Sequence, residues 1–553
     1  MDNLRIFLLI SLALVGAMIY GQWQDDYADQ KAAVTQTESA SSSVTTPNPQ
    51  AAKDLPSRPV SENSSTTADT AAETQVENQS IRVKTDVLDI AINTRGGNVV
   101  ESQLLQYSTE LGEETLVKLQ SSQPQRFFSV QSGLLGNAGV PAPDHHAVYR
   151  SEKTEYQLGA KDTVTVPLVW EQDGLRVTKR YTFYKGSYLF DLSFEIDNQT
   201  PQNWSGHQYR QLQRAEFDDS SSPFLVTYTG GVIYNQEDRY QKLDYDELEE
   251  SPLSQSFDHG WAAMIQHYFL TALVPPKETA NHYYSRGVSK AEGKRYILGM
   301  TSPEIAVPAG ESASRTTQVF VGPKLQDRLE EVAEGLDLTV DYGFLTVLSK
   351  PLFHLLSWLH GFIGNWGWSI IVLTAIIKLL FFPLSQASYR SMAKMRQVTP
   401  KLQQIRERYS DDRQRLSQEM MKLYKTEKIN PVGSCLPMLI QIPVFIALYW
   451  ALLESVELRQ APFILWINDL STKDPFYVLP LIMGLTMYLQ QKLNPTPPDP
   501  MQAKVFMMMP VVFTAFFAFF PSGLVLYWVT NNTLSIIQQW WITRQLEAES
   551  AKK

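Results

Sequence analysis

Two periodicities divide this chain. Between about residues 81 and 322, apolar side chains recur at every second position. Tyr188, Phe190, Leu192, Phe194 and Ile196 alternate with Leu189, Asp191, Ser193 and Glu195. Val164, Val166, Leu168 and Trp170 repeat the alternation, and Leu175, Val177, Tyr181 and Phe183 add another run. Side chains on a strand point to opposite faces in turn, so these runs predict half-buried strands. Their number, with Gly and Asn turns between them, predicts an antiparallel β-sandwich. A helical stretch at residues 326–336 follows it.

Beyond residue 340 the pattern becomes long apolar blocks. Residues 361–382, GFIGNWGWSIIVLTAIIKLLFF, form a run long enough to cross a bilayer as one helix. Residues 432–453, 476–489, 505–520 and 523–542 read as four further spans, the second being short. Before the first span, residues 342–360 place Leu345, Leu348, Leu352 and Leu355 roughly on one side, as in an amphipathic helix lying in the interface. At the other end of the chain, residues 6–20 are apolar and also fit a signal-peptide core in length; with no clean Ala-x-Ala site after them and Trp23 placed to anchor at the interface, they read rather as an uncleaved signal anchor, for a total of six spans. Residues 28–80 are rich in Ser, Thr, Ala, Gln and Pro and read as a flexible linker.

Charge orients these elements. The net charge is −10, yet residues 341–553 carry 20 Lys and Arg against 13 Asp and Glu, leaving a net of −17 before them. Residues 385–430 hold eleven basic residues and five acids, which places that loop in the cytoplasm. The loop holding Glu454, Glu457, Asp469 and Asp474 then lies outside with the acidic sandwich, in the periplasm of a bacterium, and both termini lie inside. Within the basic loop, Val398, Leu402, Ile405 and Tyr409 recur at helical spacing, as do Leu416, Met420, Leu423 and Tyr424. Ser410, Asp411 and Asp412 supply an N-cap between them, so the loop reads as a helical hairpin. Such a hairpin is either a solvated pair of helices or a docking surface for a nascent chain, a ribosome or anionic lipid headgroups.

Candidate chemistry lies in the spans. Lys378 interrupts the first one, where a central lysine costs roughly 2.5–3.5 kcal/mol. Thr374 lies one turn away on the same helix face. Gln441 interrupts the next span, and Asn531, Ser535 and Gln538 form a stripe in the last. Hydrogen bonding between spans accounts for Asn and Gln, but less readily for a lysine with no acid at comparable depth. If the faces converge, they form a hydrophilic groove with one positive charge, able to receive the polar part of a client segment while its apolar part partitions into lipid. The chain has no P-loop pattern and no His-Glu-x-x-His, and its eight His lack metal-ligand spacing. His145 and His146 read as solvated turn residues. No metal, cofactor, catalytic centre or nucleic-acid specificity is expected. The lone Cys435 excludes an intramolecular disulfide.

GNWGWSII, PLSQASYRSMAKMR, INPVGSCLPMLIQIPVFIALYW, SVELRQAPF, DPMQAKVF and FPSGLVLYWVTNN resemble the YidC family of bacterial membrane protein insertases. INTRGGNVV and GWAAMIQHYF resemble the periplasmic domain of its Gram-negative members. The resemblance implies a core of five spans with an added N-terminal one, and a galactose-mutarotase-like sandwich. It implies insertion and chaperoning of nascent inner-membrane proteins, alone or with the Sec translocon and its associated subunits. Lys378 stands where the family has a groove arginine; charge is kept but the bidentate fork is lost. Thr374, Gln441 and Phe445 fall at groove positions, and Tyr527 and Trp528 stand where two tyrosines are common. The short tail after residue 542 gives little support to ribosome contact there.

The expected organisation is a signal-anchor span at 1–23, a linker at 24–80 and the sandwich at 81–325. Connecting and interfacial helices occupy 326–360, a span 361–384, the hairpin 385–430, four spans 431–543 and a cytoplasmic tail 544–553. Competing readings are a secondary transporter or lipid translocator using the polar stripe, and a sugar-directed enzyme in the sandwich. No internal repeat favours the first, and no carboxylate–histidine spacing favours the second.

Overall fold

The computed structural model describes residues 54–56, 79–137, 140–216, 227–290, 292–409, 412–427, 436–494 and 500–551. The expected N-terminal span, most of the linker and Cys435 lie outside these residues.

Period-two sequence becomes two sheets packed face to face. The smaller has eight strands in the order Arg239–Leu243, Gly230–Asn235, Trp261–Ile265, Phe269–Val274, Ser312–Pro323, Leu189–Asn198, Leu175–Tyr184 and Thr163–Gln172. The larger has eleven, with Asn281–Lys290, Gly293–Thr301, Trp204–Ala215, Phe128–Gly136 and Asn98–Ser108 side by side at its centre. Phe190, Leu192, Phe194 and Ile196 are at most 1% exposed, so the alternation read in that run is the core face. An all-β sandwich joined to a helical half is therefore the fold.

One core position breaks the pattern. Lys179 lies in register between Val177 and Tyr181 and is fully buried. Its ammonium donates to Gly96 O at 2.8 Å and to Ser132 O at 3.1 Å, across the gap between the sheets. Burial holds its pKa well below the usual lysine range.

The second half is helical. Its described helices are α1 (Thr346–Ile363), α2 (Trp366–Leu380), α3 (Phe382–Arg408), α4 (Arg413–Thr426), α5 (Leu436–Glu454), α6 (Val478–Leu493), α7 (Pro500–Phe517) and α8 (Ser522–Ala551). Residues 361–382 are not one span, as the apolar run suggested. Gly364 takes the left-handed conformation (φ 70°) that closes α1, and Asn365 caps α2 by accepting from Trp368 N at 3.1 Å. At the other end Pro383, which has no N–H to continue the ladder, lies in the first turn of α3. Among the described residues no single helix is long and apolar enough to cross a membrane, whereas α2 and residues Phe382–Ala393 qualify as a pair bent by 68°.

In α1 the inward side chains are Phe353, Leu356 and Leu359, while Leu348, Leu352 and Leu355 are half-buried. Val347, Trp358 and Phe362 point outward, 88%, 59% and 75% exposed. The anticipated apolar face is thus rotated: the leucines flank the contact rather than form it. In the α3–α4 pair, Val398 and Leu402 pack against Met420, Leu423 and Tyr424, with Asp412 capping α4.

The halves meet at a polar junction beyond the end of α5. Arg459 donates to the carbonyls of Ser108 and Thr109, and Gln460 Nε2 donates to Ser108 O at 3.0 Å. The His267 ring bonds Leu453 O at 3.0 Å. Glu454 and Lys324 are buried beside it, and burial pulls them up to about 7 and down to about 8 respectively, each toward its neutral form. The sandwich and the acidic loop after α5 therefore share one side of the helical half.

Candidate functional site

The polar residues of the apolar helices converge where α2, α5 and α8 meet. α2 delivers Lys378 in its last turn, because Pro383 ends the helix just beyond. A cation there faces the negative end of the helix dipole. α8 contributes the stripe, with Ser535 and Gln538 buried and Asn531 half-buried. α5 contributes Gln441.

Lys378 Nζ donates to Ser535 Oγ at 2.7 Å and to Gln441 Oε1 at 3.4 Å. Gln441 Nε2 donates in turn to Asn531 Oδ1, and Ser535 Oγ to Asn531 O at 2.7 Å. Three helices are thereby joined through one ammonium that forms no ion pair among the described residues. Since an ammonium has three N–H donors, one remains for another acceptor. The ammonium also borders a small pocket lined by Ile377, Phe381, Leu384, Ser385, Gln441 and Val444. Such a site can hold a carboxylate or a carbonyl at the edge of an apolar bundle.

Aromatic rings border the polar cluster. Phe445 meets Trp528 edge-on at 4.5 Å between centroids and stacks on Tyr527 at 6.0 Å. Trp528 packs in turn on Phe517 at 4.9 Å. Lys378, Gln441, Asn531 and Ser535 are thus brought together, with Phe445 and Trp528 paired nearby. Gln538 is buried with its Nε2 unbonded among the described residues. Thr374 is not in the hydrogen-bonded set: it is 1% exposed and donates to Ile370 O of its own helix at 2.6 Å. Sequence reasoning missed Ser385 and Tyr389, which belong to the first turns of α3. Ser385 lines the pocket and Tyr389 reaches Ser535. Their signal was the i, i+4 spacing in PLSQASYR.

A second polar group lies on the sandwich. His145 is buried, not solvated as its Pro-rich surroundings suggested. Gly133 makes this possible, because a Cβ there would lie 2.8 Å from Asp144 Cα, so only glycine lets the 144–147 turn lie on the sheet. Tyr209 OH bonds His145 Nδ1 at 2.6 Å, and Asp54 Oδ1 bonds His146 Nε2 at 3.2 Å. Asp54, His145 and His146 offer ligand atoms within 4.8 Å of one another, a set that a divalent cation could bridge. Lys290 Nζ, 3.1 Å from Asp54 Oδ2, already supplies positive charge to that carboxylate. Burial alone would raise the Asp54 pKa, but His145, His146 and Lys290 outweigh it and hold the carboxyl well below the usual range.

Residues 358–549 match the family described as 60Kd inner membrane protein, and residues 80–355 match the YidC periplasmic domain. The membrane protein insertase YidC of Methylococcus capsulatus is 49% identical over 557 residues, covering 100% of both chains. That of Stutzerimonas stutzeri is 47% identical over 561 residues, covering 99% of each. Among solved structures, an active YidC insertase aligns at 18% identity and TM-score 0.36, over 84% of this chain and 92% of that one. A galactose mutarotase related enzyme from Lactobacillus acidophilus aligns at 8% identity and TM-score 0.31, over 44% of this chain and 97% of its own. Family membership rests on the sequence matches and on neither structural alignment.

Proposed function

The chain belongs to the YidC family of membrane protein insertases, and on that premise we propose that it inserts inner-membrane proteins through the polar cluster centred on Lys378. The observation that carries this reading is one ammonium hydrogen-bonded to α5 and α8, without an ion pair among the described residues. A hydrophilic client segment entering the bilayer needs partners for its polar groups. Gln441, Asn531, Ser535 and Gln538 supply neutral ones, and Lys378 draws carboxylates. Phe445 and Trp528 give the apolar part of the client a greasy contact as it moves toward lipid. Partitioning of that apolar part drives the transfer, so no nucleotide or ion gradient enters the scheme. Thr374 supports the packing of α2 from behind.

The groove opens to the cytosol in this reading, and the basic α3–α4 hairpin receives the nascent chain or its ribosome. Folding assistance and cooperation with the Sec translocon belong to the same proposal, with the sandwich outside as the docking body. The protein lies in the bacterial inner membrane, with the sandwich in the periplasm.

The test is photocrosslinking from Phe381, which borders the pocket and leaves Lys378 in place. Adducts to the nascent spans of small inner-membrane proteins, whose insertion fails when the protein is depleted, are expected. Normal insertion on depletion, with no adducts from Phe381, would overturn the reading and send the polar stripe to transport assays.

A further inference from the structure

A three-residue piece of the linker region, Asp54–Pro56, lies against the outer face of the large sheet. Asp54 is 4% exposed and Pro56 is also buried. The Asp54 carboxylate meets His146 Nε2 at 3.2 Å and Lys290 Nζ at 3.1 Å. Its main chain is read as well: Gln211 Nε2 donates to Asp54 O at 3.1 Å, and Arg286 Nη1 donates to Leu55 O at 2.8 Å.

The receiving face is built, not incidental. Gln211 is fully buried and lies directly opposite Gln131 in the sheet, donating to its Oε1 at 2.8 Å. Tyr284 OH donates to Gln211 Oε1 at 2.8 Å, which turns the amide N–H₂ outward toward the peptide. On the neighbouring strand Gly299 stands opposite Gln211, and a Cβ there would lie 2.7 Å from Gln211 Cβ. The Asp144 side chain accepts from His146 N at 2.8 Å and Ala147 N at 3.0 Å, fixing the turn that carries both histidines. The segment itself is suited to capture. Pro56 holds its own φ and biases Leu55 toward extended backbone, so little freedom is lost on docking.

We propose that this face is a recognition site for an Asp-X-Pro segment, occupied by residues 54–56 of the same chain. It combines a cationic pocket for the carboxylate with side-chain donors, Gln211 and Arg286, to the main-chain carbonyls of the segment. The inference does not depend on the insertase reading. Its effect is to fasten the linker midway. In sequence, the docked Asp54 lies 31 positions after Trp23, whereas Gln79 at the edge of the sandwich lies 56 after it.

The test uses the full-length protein with Cys435→Ser and nitroxide labels at Ser57→Cys and Glu152→Cys, read by double electron–electron resonance. A single narrow distance is expected, broadening at least threefold with Asp54→Asn and with Lys290→Ala. A control pair at Glu152→Cys and Lys277→Cys reads the sandwich itself and stays narrow in every variant that folds. A distribution already broad in the parent overturns the proposal, as does one that stays narrow in Asp54→Asn. Broadening by a chelator, with Lys290→Ala inert, also overturns it, because a metal ion would then be holding the carboxylate.

Discussion

Replacing Lys378 by Met removes the charge while keeping an unbranched apolar side chain of similar length. In the folded protein the ammonium donates to Ser535 at 2.7 Å and Gln441 at 3.4 Å, leaving one donor free. A client carboxylate about 4 Å from that donor gains about 4 kcal/mol at an effective dielectric near 20. The carboxylate surrenders part of its hydration on entry, so the net gain is roughly 1–2 kcal/mol, a factor of about 5 to 30. The assay is protease protection of a small client inserted into proteoliposomes, once with an acidic translocated tail and once with that tail neutralised. Lys378→Met is expected to slow the acidic client about tenfold relative to the neutral one, with Lys378→Glu slower still and Lys378→Arg near the parent. Raising salt from about 0.05 to about 0.5 M should compress the difference, in line with shorter screening lengths. Equal rates for parent, Met and Glu on the acidic client refute the electrostatic argument. Equal losses on both clients would mean that the lysine matters only as packing.

Three further outcomes are expected from other places in the fold. Glu457 is half-buried beyond α5, and desolvation there lifts its carboxyl from 4.5 to about 7. The fold therefore holds a proton that the unfolded chain releases above pH 4.5, and this contribution is lost as pH rises through 7. Glu457→Gln should raise the apparent thermal midpoint at pH 8, by up to about 3 kcal/mol of stability, and leave it unchanged at pH 4; a midpoint lowered at pH 8 contradicts this. Gly133→Ala should cost about 1–3 kcal/mol by forcing the 144–147 turn off the sheet, and an unchanged urea midpoint for the sandwich would refute the contact. Arg459→Ala takes the side-chain donor from the Thr109 carbonyl and leaves Ser108 O with Gln460 alone, at about 1–3 kcal/mol, so hydrogen exchange around residues 108–115 should quicken while the strands beyond stay protected.

Legibility in the sequence followed from how many faces of an element are buried. The strand Leu189–Asn198 buries one face, so its alternation could be read directly. Trp204–Ala215 is covered on both faces from Tyr209 onward, and its buried Arg210, Gln211 and Gln213 look like solvent positions. Lys179 was invisible for the same reason, since its partners are main-chain carbonyls that no side-chain pattern records. In the helical half, Lys378, Gln441, Asn531 and Ser535 stood out because polar groups are rare in apolar runs. Ser385 and Tyr389 did not, because they sit in a polar stretch that reads as loop. The break at Gly364 was masked by the apolar residues on both sides of it. The docking of Asp54 beside His146, 92 positions away, leaves no local signature at all.

The junction beyond α5 bears on how this protein can be recombined. Ser108, Thr109, His267 and Lys324 come from the sandwich, whereas Leu453, Glu454, Arg459 and Gln460 come from the helical half, and each set satisfies polar atoms of the other. A sandwich exchanged between relatives along the obvious boundary near residue 340 would leave its lower loops facing a foreign 453–460 segment. The transferable module is therefore discontinuous: the sandwich together with that short loop, some 110 residues further along the chain.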